Sequence, residues 1–578
     1  LPGAGGTQRL PRMIGVQKAL ELMTQGTHLR VDEALELGIV DEVVPADELM
    51  KAAEAWLNGS PSAEQPWDKK GFRMPGGGGA MHPAAVMTFT AGSALVARET
   101  QHNYPAPLAI LSCVYEGSIV PMDTALRIES KYFTKLTLDP VYRNMIRTLF
   151  INKGKADKLA RRPEGVPKLA VKRLGMLGAG MMGAGIAYVS AKAGIEVVLL
   201  DRTVADAERG KGYSSKLLAK QLKRGHISQA KADALLARIT PTESYDDLAD
   251  CDLVIEAVFE SREIKADVTK KTEAVIPETT IFASNTSTLP ITGLATESKR
   301  PGSFIGLHFF SPVDKMPLVE VIVGEETTDA TLAQALDYVQ QIRKTPIVVN
   351  DSRGFFTSRV FGTFTNEGMA LLKDGVLPAL IENGAKMAGM PVGPLAVTDE
   401  VTQELVHKVH AQSAADLGDE YDPPSAIDVA EQLCELGRKG KRFGQGFYDY
   451  PEGEKKRLWE GLADLYPPVA EQPSVEEVKR RLLYRQAVET ARCLEEGVLT
   501  HPADGDIGSI LGIGFPPYTG GALSFIDTIG LPEFVAECDR LAAAYGPRFT
   551  PPDGLRQMAL RGEQYYPRAD EDAERSAA

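Results

Sequence analysis

Apolar positions recur along this chain with two different periods, and the change of period divides it. Ala19, Leu20, Leu22 and Met23, then Ala34, Leu35 and Leu37, have the spacing of one helix face. Similar patterning fills residues 84–150, most clearly Met122 to Leu136 and Val141 to Phe150. Between Asn58 and Pro83 it is broken by proline, glycine and polar residues, with Gly76 to Gly79 consecutive, which predicts a connector or exposed loop. From residue 174 the pattern becomes short, nearly continuous apolar runs: Leu174–Leu177, Glu196–Leu200, Leu253–Val258, Thr280–Ala283, Phe304–Phe310 and Val319–Val323. Helical stretches separate most of them, which predicts βαβ units and a parallel sheet buried on both faces. After Asp351 the strand signals stop and the chain reads as helices, ending in a charged, alanine-rich tail from Arg568 that is expected to fray.

The helical half repeats itself. Leu372-Lys-Asp-Gly-Val-Leu377 is echoed by Leu494-Glu-Glu-Gly-Val-Leu499, Gly389-Met-Pro391 by Gly514-Phe-Pro516, and Asp399 by Asp527. Three matches in the same order predict a duplicated helical domain, with chance similarity of two helical stretches as the alternative. Between Lys153 and Arg173, eight basic residues stand against Asp157 and Glu164. They predict a solvated helix and linker, or a basic wall beside an anionic phosphate.

Length and composition add bounds. At 578 residues the chain needs several cores, about four at ~150 residues each. Its 64 basic and 78 acidic residues give a net charge of −14, which argues against general nucleic-acid binding. Five cysteines without CxxC or zinc spacing read as reduced, buried thiols, Cys251 among them, and predict no metal site. Leu174 to Ala191 runs 18 residues without a charge, the length of a membrane span, but its five glycines and strand-like start predict a buried strand, turn and helix instead. No transmembrane segment or signal peptide is expected. His407 and His410, three apart with no third ligand evident, read as a surface face.

The first chemical signal is Gly178-Ala-Gly180-Met-Met-Gly183, set between a strand and an amphipathic helix, with Asp201 ending the next strand. Gly178 permits the tight turn, Gly180 lets backbone approach a pyrophosphate, and Gly183 lets helix pack on strand. The helix N-terminus then presents unpaired N–H groups to the phosphates. Asp201 would accept hydrogen bonds from ribose hydroxyls and repel a 2′-phosphate. Arg202 beside it suits NADP, but the carboxylate at the strand end favours NAD.

Glu320 and His308 interrupt two apolar strands, and a buried charge is costly without a partner. One His–carboxylate pair would satisfy both, though two separately satisfied polar groups would also. Such a pair suits alcohol oxidation, with imidazole taking the hydroxyl proton and the carboxylate fixing its tautomer. Ala283-Ser-Asn-Thr-Ser-Thr288 follows an apolar strand, where strand ends line the ligand crevice of an open α/β sheet, or it serves as a turn.

In these motifs the chain resembles the L-3-hydroxyacyl-CoA dehydrogenases. The glycine-rich turn with Asp201, Ser284-Asn-Thr-Ser287, Gly306-Leu-His-Phe-Phe-Ser-Pro312, Leu318-Val-Glu-Val-Ile322 and Gly354-Phe-Phe356 carry the resemblance over residues 168–450, and the helical repeat extends it to about residue 560. The resemblance implies NAD as cofactor, His308 as catalytic base, Glu320 as its orienting partner, and Ser287 near the substrate hydroxyl and nicotinamide. Met182, Asp201, Val258, Glu260, Lys265 and Ser311 would line the cofactor site with Gly178, Gly180 and Gly183. Ser358 stands where the family has an asparagine that contacts substrate, and a serine cannot offer both amide donor and acceptor. Tyr518, in Pro516-Pro-Tyr-Thr-Gly520, matches a further substrate-contact position, with packing between helices as the alternative.

Leu1-Pro-Gly-Ala-Gly-Gly-Thr-Gln-Arg-Leu10 and Ala34-Leu-Glu-Leu-Gly-Ile-Val-Asp41 resemble the C-terminal part of an enoyl-CoA hydratase (crotonase) domain. That order of domains is found in the family of multifunctional α subunits of fatty-acid oxidation complexes, which implies an acyl-CoA substrate and a thiolase subunit as partner. The two hydratase glutamates of the family precede the Pro-Gly-Ala-Gly-Gly turn, so hydratase activity is expected only of a longer parent chain.

The expected fold is therefore α/β plus all-α. A crotonase-like C-terminal remnant spans 1–57, a linker and helical connecting region 58–167, and a Rossmann NAD-binding domain 168–350. Two copies of the helical dehydrogenase C-terminal domain follow, 351–452 and 453–567, with the frayed tail at 568–578. The expected activity is NAD-dependent oxidation of (S)-3-hydroxyacyl-CoA to 3-oxoacyl-CoA, in a bacterial-type cytoplasm with an organellar location left open. The alternatives are a non-catalytic NAD/acyl-CoA-binding subunit and a dehydrogenase of a short hydroxy acid without CoA.

Overall fold

The computed structural model describes residues 2–59, 63–77 and 82–567, so the expected frayed tail lies outside the described residues. The chain divides into two compact units, residues 1–143 and 144–578.

In the first unit, helices Val16–Gln25, Pro83–Thr100 and Pro105–Gly117 share a core of Val16, Leu20, Ala85, Phe89, Ile110, Leu111 and Val114, and helices Gly6–Ile14 and Met122–Thr137 pack beside Pro105–Gly117. The opening glycine turn is tied down by Glu129, which is 3% exposed. Its carboxylate accepts from Gly5 N at 2.5 Å, and from Thr7 N at 2.9 Å and the Thr7 hydroxyl. The unit thus joins the expected remnant to part of the expected connecting region, and the division between units falls after Arg143.

The second unit is built on an eight-stranded sheet: β1 (Arg173–Leu177), β2 (Glu196–Leu200), β3 (Ile239–Thr242), β4 (Leu253–Glu256), β5 (Ile281–Ser284), β6 (Phe304–Phe309), β7 (Leu318–Val323) and β8 (Thr345–Asn350). Their order is β3-β2-β1-β4-β5-β6-β7-β8. The expected all-parallel sheet needs one correction, because β7 pairs with β6 antiparallel while β8 runs parallel to β7. Apolar runs buried on both faces carry no direction, so composition does not distinguish the two pairings.

Alternation along the strands sorts the core into two layers. Leu307, Phe309, Val319 and Val321 face one side, with Leu336 and Tyr338 of helix Asp329–Gln341. Phe304, Leu318, Ile322, Ile347 and Val349 face the other, with Phe355, Phe356 and Ile507. Each fully buried aliphatic or aromatic side chain here contributes roughly 1.5–3 kcal/mol. Side-chain caps start several of the helices: Thr203, Thr328 and Ser474 accept from Asp206 N, Thr331 N and Glu477 N.

Among the described residues beyond the sheet the chain is helical except for a two-strand pair, β9 (Tyr448–Asp449) and β10 (Arg457–Leu458), which the sequence did not predict. Helix Thr357–Lys373 packs along helix Val475–Glu495, and the repeat expected from sequence has structural counterparts on both sides. Asp399 accepts from Phe447 N and Tyr448 N, at 2.8 and 2.9 Å. Its echo Asp527 accepts from Tyr565 N and Tyr566 N, at 3.0 and 2.9 Å. Four residues after Pro378 and Pro502, Glu382 and Asp506 each accept from the first turn of a later helix, at Leu395 N and Leu523 N, both 2.8 Å.

Candidate active site

The turn after β1 is shaped by its glycines. Gly178 has φ +91, and a Cβ there would stand 2.7 Å from Ala257 O. At Gly183 a Cβ would collide with Gly178 O, whereas at Gly180 it would meet nothing within 4 Å. The open side at Gly180 faces the start of helix Met181–Lys192, the arrangement a pyrophosphate requires. Asp201 lies beside this turn, accepting from Ala179 N and from Arg202 N, both at 2.7 Å. Met182 is half-buried in the first helical turn. The exposed Ser311 lies against Met181, Oγ to Sδ 3.6 Å. This donor set fits NAD.

Glu260, which the resemblance places on the cofactor, organises the loop after β5. Its Oε1 accepts from Thr286 Oγ1 at 2.5 Å, Ser287 N at 3.1 Å and Thr288 N at 3.3 Å. Lys265 is 2% exposed, its ammonium 2.8 Å from Glu256 and 3.4 Å from Glu260. Burial disfavours that charge, but the two carboxylates outweigh it and hold Lys265 above the usual lysine range. Burial likewise acts against Glu260, yet Lys265 and the loop donors hold its carboxyl below the usual range. Lys265 therefore acts on the expected cofactor site through Glu260. Glu256, absent from the sequence reading, completes this cluster by accepting from Ser284 Oγ and from Val258 N at 3.2 Å. A carboxylate inside the apolar run Leu253–Val258 was its available signal.

The half-buried Ser287 belongs to this same loop, and the loop is fastened next to His308. Asn285 Oδ1 accepts from Phe309 N at 2.9 Å. His308 and Glu320 are register partners across β6 and β7. His308 Nδ1 lies 2.9 Å from Glu320 Oε2. A carboxylate only accepts, so Nδ1 is the donor of this bond, and in the neutral ring the lone pair is on Nε2. Phe310 stacks obliquely on the imidazole with ring centroids 4.5 Å apart. Glu320 is 0% exposed and is also held by Phe356 N and Thr357 N, both 3.0 Å from Oε1. Those donors belong to the start of helix Thr357–Lys373, whose positive end faces the carboxylate.

Ser358 is half-buried in the first turn of that helix, next to Thr357. Tyr518 meets the other helical copy, where its hydroxyl donates to Ala388 O at 3.2 Å. His407 stands 3.5 Å from Glu431, and His410 pairs with the Tyr421 hydroxyl at 2.9 Å. Among the described residues no cluster of three or more His, Cys, Asp or Glu side chains could hold a metal ion, and no helix is long and apolar enough to cross a membrane. Cys251 is buried, its thiol pushed up to about 11 by desolvation.

Residues 173–352 match the NAD-binding domain of 3-hydroxyacyl-CoA dehydrogenase, residues 354–450 its C-terminal domain, and residues 1–65 the enoyl-CoA hydratase/isomerase family. The fatty acid oxidation complex subunit alpha of Shewanella amazonensis is 38% identical over 576 residues, covering 98% of this chain and 80% of that protein. The subunit of the same name from Shewanella loihica is 38% identical over 572 residues, with the same coverage. Among solved structures, 3-hydroxybutyryl-CoA dehydrogenase from Escherichia coli K12 matches with a TM-score of 0.60 at 26% identity, over 68% of this chain and 99% of its own.

Proposed function

Since the chain belongs to the family of fatty acid oxidation complex α subunits and is an NAD-dependent 3-hydroxyacyl-CoA dehydrogenase of β-oxidation, we propose that His308 is the base of this oxidation and Glu320 its orienting partner. The observation that carries the assignment is the pair itself: a buried carboxylate on Nδ1–H, leaving Nε2 as the lone-pair end. Nε2 takes the proton of the substrate's C3 hydroxyl as the C3–H bond breaks and the carbonyl forms. Glu320 stabilises the imidazolium, and the backbone donors of Phe356 and Thr357 hold its carboxylate in place while it does so. NAD, when bound, supplies the acceptor for the hydride that leaves C3.

Gly178, Gly180 and Gly183 would seat the pyrophosphate and Asp201 the adenosine ribose, with Met182, Val258, Glu260 and Ser311 along the remainder. Ser287 would meet the substrate hydroxyl, and Ser358 and Tyr518 the acyl-CoA. A thiolase subunit as partner and a bacterial cytoplasmic location complete the proposal. Both are supported by bacterial relatives named as subunits of a complex. Thiolase activity co-purifying with the tagged chain is the expected result for the partner.

The decisive assay follows NADH absorbance with (S)-3-hydroxybutyryl-CoA, comparing the chain with His308→Ala. A loss of roughly 10²–10⁴-fold in kcat with NADH binding retained is expected. No turnover by the unmodified chain at any acyl length would instead favour a binding subunit.

A further inference from the structure

Glu320 is given more donors than the orientation of one imidazole requires. Backbone N–H groups of Phe356 and Thr357 already satisfy Oε1. On the other oxygen, Oε2 accepts both His308 Nδ1–H at 2.9 Å and the Thr357 hydroxyl at 2.5 Å. That hydroxyl oxygen also lies 3.4 Å from His308 Nδ1. Thr357 is 1% exposed, so its hydroxyl cannot turn to water instead.

Two donors on one carboxylate oxygen share its charge. A carboxylate beside imidazole favours imidazolium, and each further hydrogen bond to that carboxylate weakens the preference. We propose that Thr357 is a positioning residue: its hydroxyl fixes Glu320 Oε2 against His308 and draws off part of that oxygen's charge, so that the imidazole stays a neutral base to lower pH. The inference rests on the reading of His308 as the base.

Other charged groups on the elements packed against this pair have partners of their own. Arg359, two residues along the same helix, is neutralised by Glu489 and Glu496. Cys493, on helix Val475–Glu495, feels the Glu320 charge, but burial first of all keeps its thiol protonated. On helix Pro502–Ile513, Asp504 pairs with Arg161, and Asp506 is hydrogen-bonded by Ser524. Strand β8 carries no titratable residue, and helix Asp329–Gln341 packs on the opposite face of the sheet.

The two directions of the reaction need opposite forms of His308: neutral for oxidation, protonated for reduction of the 3-oxoacyl-CoA. Thr357→Val keeps the branched shape and removes only the donor. It should move the acid limb of kcat/KM for oxidation, and the alkaline limb for reduction, upward together by about 0.5–1 pH unit. Thr357→Ser should restore both limbs. Independently of turnover, ¹⁵N-histidine NMR of the NAD-free protein, with the His308 signal assigned by its loss in His308→Gln, should show the same upward shift of the titration midpoint.

A uniform, pH-independent loss in both directions with an unmoved His308 midpoint would overturn the proposal, as would a downward shift. Turnover retained by His308→Gln would sink the base assignment itself. The NMR midpoint in Thr357→Val would still decide whether the hydroxyl acts on the imidazole.

Discussion

Lys265 occupies a position where its charge has no substitute. Its ammonium separates Glu256, 1% exposed, from Glu260, and Glu260 in turn holds the backbone of Ser287 and Thr288. Lys265→Met leaves two carboxylates facing each other without a counter-ion, which should destabilise the protein by about 3–5 kcal/mol in urea unfolding. NADH binding should weaken as well, because the 286–288 loop loses its anchor. A stable variant with unchanged NADH affinity would mean that Glu256 and Glu260 tolerate each other by taking up a proton. His308 and Glu320 were legible from sequence because a titratable group inside an apolar strand is a local anomaly. Glu256 obeys the same rule inside the run Leu253–Val258, but no local pattern pairs it with Lys265, which the fold brings to it from the next helix. Thr357 had no such signal: a hydroxyl at a helix start reads as a cap, and only the fold brings it onto Glu320.

Two helices carry the relation between the helical copies in their charges. Arg359 on helix Thr357–Lys373 pairs with Glu489 on helix Val475–Glu495, and Arg481 on the second pairs with Glu367 on the first, at 2.8 and 2.6 Å. Both arginines and both glutamates are separated by 122 residues, the spacing of Leu372 and Leu494 in the sequence repeat. The exchange is reciprocal, as in an isologous dimer interface folded into one chain. Glu367 is 0% exposed and also receives Arg548 at 2.7 Å. Glu367→Gln should therefore cost about 3 kcal/mol by strand- and helix-monitored denaturation, since it takes the carboxylate from Arg548 and leaves Arg481 only the half-exposed Asp374, 2.8 Å away. A cost near that of an exposed pair would show that water reaches the site. At this scale the sequence yielded six of the eight sheet strands. The two it missed, β3 and β8, contain Pro241 and Pro346 and form the two edges, where a residue without an N–H is tolerated. Proline there erased the strand signal for the same reason that it suits the edge.

Within the second unit, Asp416 on helix Gln403–Leu417 ties the first helical copy to the sheet domain. It receives Arg262 at 3.1 Å, from the helix following β4, and also Arg353, just beyond β8. Arg262 lies two residues after Glu260, and Arg353 three before Phe356, so the tie spans elements that hold the loop after β5 and the carboxylate of Glu320. Its side chains are partly exposed, worth roughly 0.2–1 kcal/mol per pair. Asp416→Ala should speed amide exchange in residues 403–417 a few-fold and raise the KM for acyl-CoA more than it lowers kcat. Unchanged exchange would place the hold elsewhere in the interface. One further consequence comes from the antiparallel pairing of β6 and β7. Its connection is the short stretch 310–317, whereas the parallel neighbours β4, β5 and β6 are joined by longer crossovers. Short loops close with the least entropy, so this pairing is among the sheet's quickest to form. Because side chains alternate with a period of two, a slip of one residue would put His308 and Glu320 on opposite faces, and a slip of two would part them along the ladder. Regain of activity after dilution from denaturant should then lag behind the formation of this ladder, waiting for residues 356–357 to close over a His–Glu pair already made.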